Sequence, residues 1–252
     1  MVVFQGYLHK NKMLLFRTFH PSSQFCSFMK KRSFIVRYGS TMGNLTLYGD
    51  EASPPVRFVM MTASILNINY TFHKIDLFKS ENKTDFFKTI NPLQKVPALV
   101  VDGEIICDSH VISPYLCQRT QYQTLYPSDS LQKAKVDEML MFNATNLFPI
   151  DSFIFTEYFA GKKSIDQQKV ENWHFSLKYL NQRLNKYIWL AGDQMQLCDI
   201  CCGATISSLE LLVPRIQNYA AVKSWMERLQ KLPCFEINNY GLDRLNKFVK
   251  LR

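Results

Sequence analysis

Leu45-Thr46-Leu47-Tyr48-Gly49-Asp50-Glu51-Ala52-Ser53-Pro54-Pro55-Val56-Arg57 is the stretch on which the reading of this chain turns. Leu45 to Tyr48 predicts a short strand and Gly49 to Ser53 a loop. Pro54-Pro55 then opens a helix to about Leu66, since proline is accepted in a first helical turn. Ser53 therefore stands where a helix presents unpaired N–H groups and positive dipole potential. A hydroxyl there can donate to a thiolate and lower the pKa of a bound thiol. Taken alone, Ser53 reads as a helix cap, the ordinary role of serine at such a place.

Downstream, Asn69 to Ile75 alternates like a second strand, Ser80 to Ile90 is a short polar helix, and Val96 to Val101 is a third strand. Asp102-Gly103 is a two-residue hairpin signal, Glu104 to Cys107 is the returning strand, and Asp108-Ser109 caps a helix to about Gln118. The order βαβαββα over 42–121 defines a small α/β domain of the thioredoxin-like kind. Residues 122–129 read as a linker containing Pro127, and 128–252 as an all-α domain. Its helices are expected over 130–158 with a bend at Pro149, then 165–184, 199–212, 219–229 and 238–249.

Two further motifs bear on chemistry. Val96-Pro97, following Asn91-Pro92-Leu93-Gln94-Lys95, suits a cis proline that exposes the Val96 backbone to an extended peptide ligand. Asp108-Ser109-His110 opens a helix whose N-terminus suits a ligand carboxylate, while Asp108 can pair with a ligand amino group. Each alone is a turn or a cap; the three motifs in this order and topology are specific.

Composition narrows the classes. The 252 residues are 47% hydrophobic and 20% charged, an ordinary globular balance. The net charge of +9 suggests nucleic acid until it is located. Residues 1–41 carry seven Lys and Arg and no Asp or Glu, which leaves +2 for 42–252 and no basic footprint there. The 1–41 segment is read as spurious or alternative-start sequence, with a mitochondrial transit peptide and a folded arm as alternatives; disorder is expected there. The longest run free of charged residues, 58–73, is too short and too polar for a membrane span. Seven cysteines without a secretory signal point to free thiols. Cys198, Cys201 and Cys202 lack a second ligand pair, so no metal is expected and the three are read as core thiols.

These segments resemble the cytosolic glutathione transferases, and Ser53 to Arg57 with Asp108-Ser109-His110-Val111-Ile112 the insect delta and epsilon classes. Asp76-Leu77-Phe78-Lys79, Leu147 to Ser152 and Tyr240 to Leu245 resemble the noppera-bo type among them. The resemblance covers 42–252 and none of 1–41. It implies a homodimer in the cytoplasm (mitochondrial only if 1–41 is a transit peptide), glutathione as cosubstrate, and a role in ecdysteroid biosynthesis. It implies Ser53 as the residue stabilising the glutathione thiolate. Glutathione would be bound by Pro55, Gln94, Lys95, Val96, Pro97, Asp108, Ser109 and His110. Two departures stand out. Gln94 replaces the His usual in relatives, keeping a hydrogen-bond donor but no charge. Gln196-Leu197-Cys198-Asp199 keeps only the acidic half of the family's helix-capping box.

A transferase also needs an apolar pocket beside the sulfur. Met139, Phe142, Phe148, Asp151, Ser152 and Phe155 are the candidates, although most of the apolar ones read equally as bundle core. Asp151 reads from its neighbours as a solvated residue after a proline bend. In noppera-bo proteins the matching acidic residue accepts a hydrogen bond from a steroid hydroxyl, which implies a steroid or sterol-like ligand here. Two other functions stay open: a general detoxifying transferase, and a steroid carrier in which glutathione chemistry is incidental.

Overall fold

The computed structural model describes residues 44–121 and 123–250; expectations for 1–41 lie outside the described residues. Four strands form one sheet: β1 (Leu45–Gly49), β2 (Thr71–Lys74), β3 (Ala98–Val101) and β4 (Glu104–Cys107). Their spatial order is β2-β1-β3-β4. β1 and β2 are parallel, so a crossover helix must join them, and α1 (Pro54–Ile65) does so. β3 runs antiparallel to both β1 and β4. At the β3–β4 turn Asp102 and Gly103 both take positive φ, 51° and 94°, the conformation the Asp-Gly pair favours. The polar stretch before β3 is two short 3₁₀ turns at Leu77–Lys79 and Glu81–Lys83, followed by α2 (Asp85–Ile90), rather than one helix from Ser80. Ser80 lies between the turns with φ 58°, which a continuous helix cannot accommodate. α3 (Ser109–Gln118) completes the domain.

α1 is buried on two sides. Val56, Val59, Met60 and Ala63 pack on Leu45, Leu47, Leu99 and Val101 of the sheet and on Ile112 and Leu116 of α3. Phe58 and Met61 enter the core of the helical half instead. Each of the valine, methionine and phenylalanine side chains among these contributes roughly 1.5–3 kcal/mol when fully buried, so α1 fastens the two halves together.

The helical half contains α4 (Ser130–Phe142), α5 (Phe148–Phe159), α6 (Gln167–Leu184), α7 (Leu197–Leu212), α8 (Ala220–Gln230) and α9 (Phe235–Lys250). The expected single helix over 130–158 is interrupted before Pro149, not at it. Residues Asn143–Leu147 form a π-turn, and Pro149 sits in the first turn of α5. Proline supplies no N–H to the carbonyl four residues back, so the helix widens in the turn upstream.

α7 is the central helix, with 12 of its 16 residues buried. Its start is better capped than the sequence suggests. Asp199 accepts from the Gln196 N–H, and Gln196 completes a reciprocal capping box in place of Ser or Thr. With the Gln196 side-chain amide turned over, which satisfies its oxygen and nitrogen alike, its nitrogen donates to the Leu125 carbonyl at 2.9 Å. The buried Asp199 carboxylate further accepts from Leu190 N and from Trp225 Nε1, both at 2.9 Å. Cys198, Cys201 and Cys202 are buried in α7, where burial pushes their thiols well above the usual value. No helix among the described residues is long and apolar enough to cross a membrane, and none of their His, Cys, Asp and Glu side chains gather in threes as for a metal ion.

Candidate active site at the domain junction

Ser53 ends the β1–α1 loop in an extended conformation and precedes the two prolines of α1. Its hydroxyl makes no capping hydrogen bond, so the helix start does not consume it. Without such a bond the cap-only reading loses its physical content. The turn itself is held by Asp50: its carbonyl accepts from Ser53 N at 3.0 Å and its Oδ1 from Ala52 N at 3.0 Å. Pro55 is half-buried in the first turn of α1.

The loop before β3 brings the next candidates. The Val96-Pro97 bond is cis. Pro97 is buried, Val96 half-buried and Lys95 exposed. Gln94 takes φ 56°, stabilised by its N–H on the Asn91 carbonyl at 2.8 Å and by Asn82 Nδ2 on its own carbonyl at 2.9 Å.

At the start of α3, Asp108 takes φ 76° and Ser109 is buried. Asp108 Oδ1 accepts from the backbone N–H of His110 at 2.8 Å and meets His110 Nδ1 at 2.9 Å. The bond to His110 holds the exposed Asp108 carboxyl below its ordinary pKa against partial burial, so it presents a negative charge at neutral pH. The other ring nitrogen of His110 meets Asn143 Oδ1 at 3.0 Å, and Asn143 Nδ2 donates to Thr205 Oγ1 at 2.9 Å. The His110 ring thus bridges the two domains through the π-turn residue Asn143.

The apolar candidates divide. Phe155 packs with Ala52, next to Ser53, and with Leu245 of α9, while Phe78 and Phe159 border the same cluster. Met139 is fully buried in the helical core, and Phe142 stands 4.9 Å from the Tyr179 ring of α6. Those two belong to the bundle interior rather than to an open wall beside Ser53. Phe148 is half-buried and Ser152 exposed.

Asp151 is not solvated: it is 4% exposed and its Oδ1 has no hydrogen-bond partner. Burial raises its pKa to about 7, against the pull of nearby Arg57. Arg57 is fully buried and has no N–H to spare. Nε donates to Asn238 at 2.9 Å, one terminal nitrogen to the Ala52 and Glu51 carbonyls, and the other to the Ala204 carbonyl and Ser208 Oγ. Burial lowers Arg57 to about 10, with Asp151 and Asp50 opposing that fall. Arg57 therefore remains a cation whose charge Asp151 feels through space while its free oxygen stays unpaired.

The pH dependence of stability follows. Folded Asp151 keeps its proton to about pH 7, whereas the ordinary value is 3.8. The folded state thus binds more protons, and this contribution to stability falls as pH rises from about 4 to about 7, then levels. Asp151→Asn removes the titration. Its stability relative to wild type is expected to rise by on the order of 2 kcal/mol between about pH 5 and about pH 8. Melting curves of both proteins at the two pH values check this; a constant difference contradicts it.

The sequence reading placed the motifs but missed the residues that hold them: Arg57 as a hub, Asp50 as the anchor of the serine turn, and Asn143 as the interdomain bridge. Arg57 lies five residues after the Glu51-Ala52 turn that it holds, yet nothing in local sequence says that its charge is fully buried. Asn143 carries no signal, because its role depends on the π-turn.

A seryl helix start, a cis proline before β3 and an acidic helix start at α3, set on a thioredoxin-like domain against an α-helical one, define an enzyme class that handles glutathione. The chain matches the Glutathione S-transferase N-terminal domain over residues 47–123 and the C-terminal domain over 144–233. It is 31% identical to Glutathione S-transferase 1 of Manduca sexta over 204 residues, covering 77% of this chain and 92% of that protein. Among solved structures it is similar to an epsilon-class glutathione S-transferase from the housefly, Musca domestica, with TM-score 0.78 and 30% identity over 82% of this chain and 98% of the other. It is likewise similar to isozyme E7 from Drosophila melanogaster, with TM-score 0.78 and 34% identity over 82% and 96%. A glutathione transferase homolog from Drosophila mojavensis with bound glutathione aligns at TM-score 0.77 and 28% identity, over 83% and 98%. The chain belongs to the glutathione S-transferase family and is of the insect delta/epsilon type.

Proposed function

We propose that this transferase uses Ser53 to stabilise the glutathione thiolate and that its second site takes a steroid or sterol-like ligand. The first part is supported by the uncapped Ser53 hydroxyl at the positive end of α1. Glutathione would lie along the cis Val96-Pro97 segment, its sulfur toward Ser53, its amino group on Asp108 and a carboxylate at the α3 start near Ser109. Pro55, Gln94, Lys95 and His110 would line or buttress that path. The thiolate then attacks the electrophilic carbon of the second substrate, forming a C–S bond as a leaving group departs with its bonding pair or as the electrons of an activated double bond move to its far atom; the protein holds the nucleophile and keeps it ionised.

The observation that carries the second part is Asp151: a carboxyl buried one turn before Phe155 on α5, with one oxygen left for a donor. A buried acceptor of this kind is costly unless a partner meets it, and a hydroxyl on a flat apolar ligand is such a partner. Phe155 and Phe148 would supply the walls, with Ser152 at the rim; Met139 and Phe142 would shape the pocket from behind. The resemblance to noppera-bo proteins extends this to ecdysteroid biosynthesis. A homodimer, a cytoplasmic site of action and domain limits of 42–121 and 128–252 complete the reading.

Binding of a hydroxyl-bearing steroid above about pH 8, where Asp151 is ionised, tests it. There Asp151→Ala should weaken that binding by roughly 1.5–3 kcal/mol, the range for a hydrogen bond to a charged group, with Asp151→Asn between. A steroid lacking the hydroxyl should bind wild type and Asp151→Ala alike. Equal binding in all combinations would leave the general detoxifying transferase as the better reading.

A further inference from the structure

The turn that carries Ser53 is held from the far end of the chain. Asp50 is fully buried. Besides its bonds within the turn, its Oδ2 accepts from Leu77 N at 3.0 Å. Arg244 of α9 then grips both carboxylate oxygens, Nε to Oδ1 at 2.7 Å and a terminal nitrogen to Oδ2 at 2.9 Å. The same guanidinium reaches Asp76 Oδ1 at 3.2 Å and lies 4.0 Å from Glu51 Oε2, which Lys74 pairs at 2.9 Å. It also sits against the rings of Phe78 and Phe248, which stack at 3.4 Å, with centroid distances of 5.3 and 5.4 Å. Burial pushes the Asp50 carboxyl up, but Arg244 and the two backbone donors outweigh it and hold it below the ordinary value. The anchor is therefore ionised, bidentate and rigid.

We propose that Arg244 is a positioning residue for the transferase reaction: by gripping Asp50 it sets the turn that aims the Ser53 hydroxyl at the glutathione sulfur. This rests on Ser53 being the thiolate donor. Without Arg244 the buried Asp50 carboxylate has lost its cation, a state that costs enough to make it protonate or swing away. Either change disturbs its bond to Ala52 N, and Ala52 immediately precedes Ser53. A displaced donor propagates into the rate, since a misplacement of about 1 Å can cost on the order of a hundredfold.

The test is a double-mutant cycle between Arg244→Gln and Ser53→Ala, read with glutathione and an activated aromatic chloride. Arg244→Gln is expected to lower kcat about ten- to a hundredfold, to change the KM for glutathione little, and to move the acid limb of the kcat/KM profile to higher pH. Arg244→Lys should recover part of the loss. In the Ser53→Ala background Arg244→Gln should cost nothing more, because the group it positions is gone. The proposal is overturned if Arg244→Gln lowers the melting temperature but leaves kcat and the pH profile alone, or if it slows both backgrounds by the same factor. Should Arg244→Gln not fold, Asp50→Asn, which keeps an acceptor for Ala52 N–H, is read against the same two outcomes. A wild-type rate in Ser53→Ala alone removes the Ser53 reading. A slow Ser53→Ala beside a fast Arg244→Gln removes only the role of Arg244.

Discussion

Gly241→Ala should destabilise the enzyme by about 3 kcal/mol, although alanine is the better helix former by about 1 kcal/mol. Gly241 lies within α9, where a Cβ would fall 2.1 Å from the Glu51 carbonyl oxygen and 2.4 Å from Arg57 Cδ. Neither neighbour can give way freely. Glu51 O is backbone in the loop leading to Ser53 and accepts from Arg57, while Arg57 is fixed by five hydrogen bonds. The clash must be relieved by moving α9 off the serine loop, which also strains the Arg244–Asp50 pair. For a chain of this size 3 kcal/mol corresponds to a fall in Tm of about 6–12 °C. Asp243→Ala, at an exposed position on the same helix, is the control and should stay within about 0.5 kcal/mol. If Gly241→Ala instead raises Tm, as helix propensity alone dictates, α9 does not bear on the loop as described.

Local signals carried much of the fold. The proline pair at 54–55, the Asp-Gly turn at 102–103 and the spacing of Val170, Trp173, Leu177 and Leu180 each act within a few residues, and each matches the element found there. The misplaced boundaries had non-local causes. α9 begins at Phe235 rather than Asn238 because Phe235 is fully buried against the core that α7 and α8 build. The break in the long helix falls at Asn143, where His110 and Thr205 hold the side chain, and not at Pro149, whose effect is felt one turn upstream. At the site, sequence order placed Ser53, Val96-Pro97 and Asp108 on one domain. What it could not place were pairs 181 and 194 residues apart, Arg57 with Asn238 and Arg244 with Asp50. Asp151 shows the same limit: its neighbours in sequence suggested solvent, but the fold buries it within electrostatic reach of Arg57.

Ser53→Ala carries the second large effect. The hydroxyl lies at the positive end of α1 and is free of capping duty, so removing it deletes the proposed donor to the sulfur without disturbing the helix start. Losing such a bond costs roughly 1.5–3 kcal/mol, or about ten- to a hundredfold in rate. In the binding mode proposed above, glutathione draws mainly on the Val96 backbone, Asp108 and the α3 start, which the substitution does not touch. Steady-state conjugation of glutathione to an activated aromatic chloride by wild type and Ser53→Ala, with glutathione saturating, is the most direct measurement. A fall in kcat of that size with nearly unchanged affinity for glutathione is the result predicted; an unchanged kcat would contradict the assignment of Ser53 as the group that stabilises the thiolate.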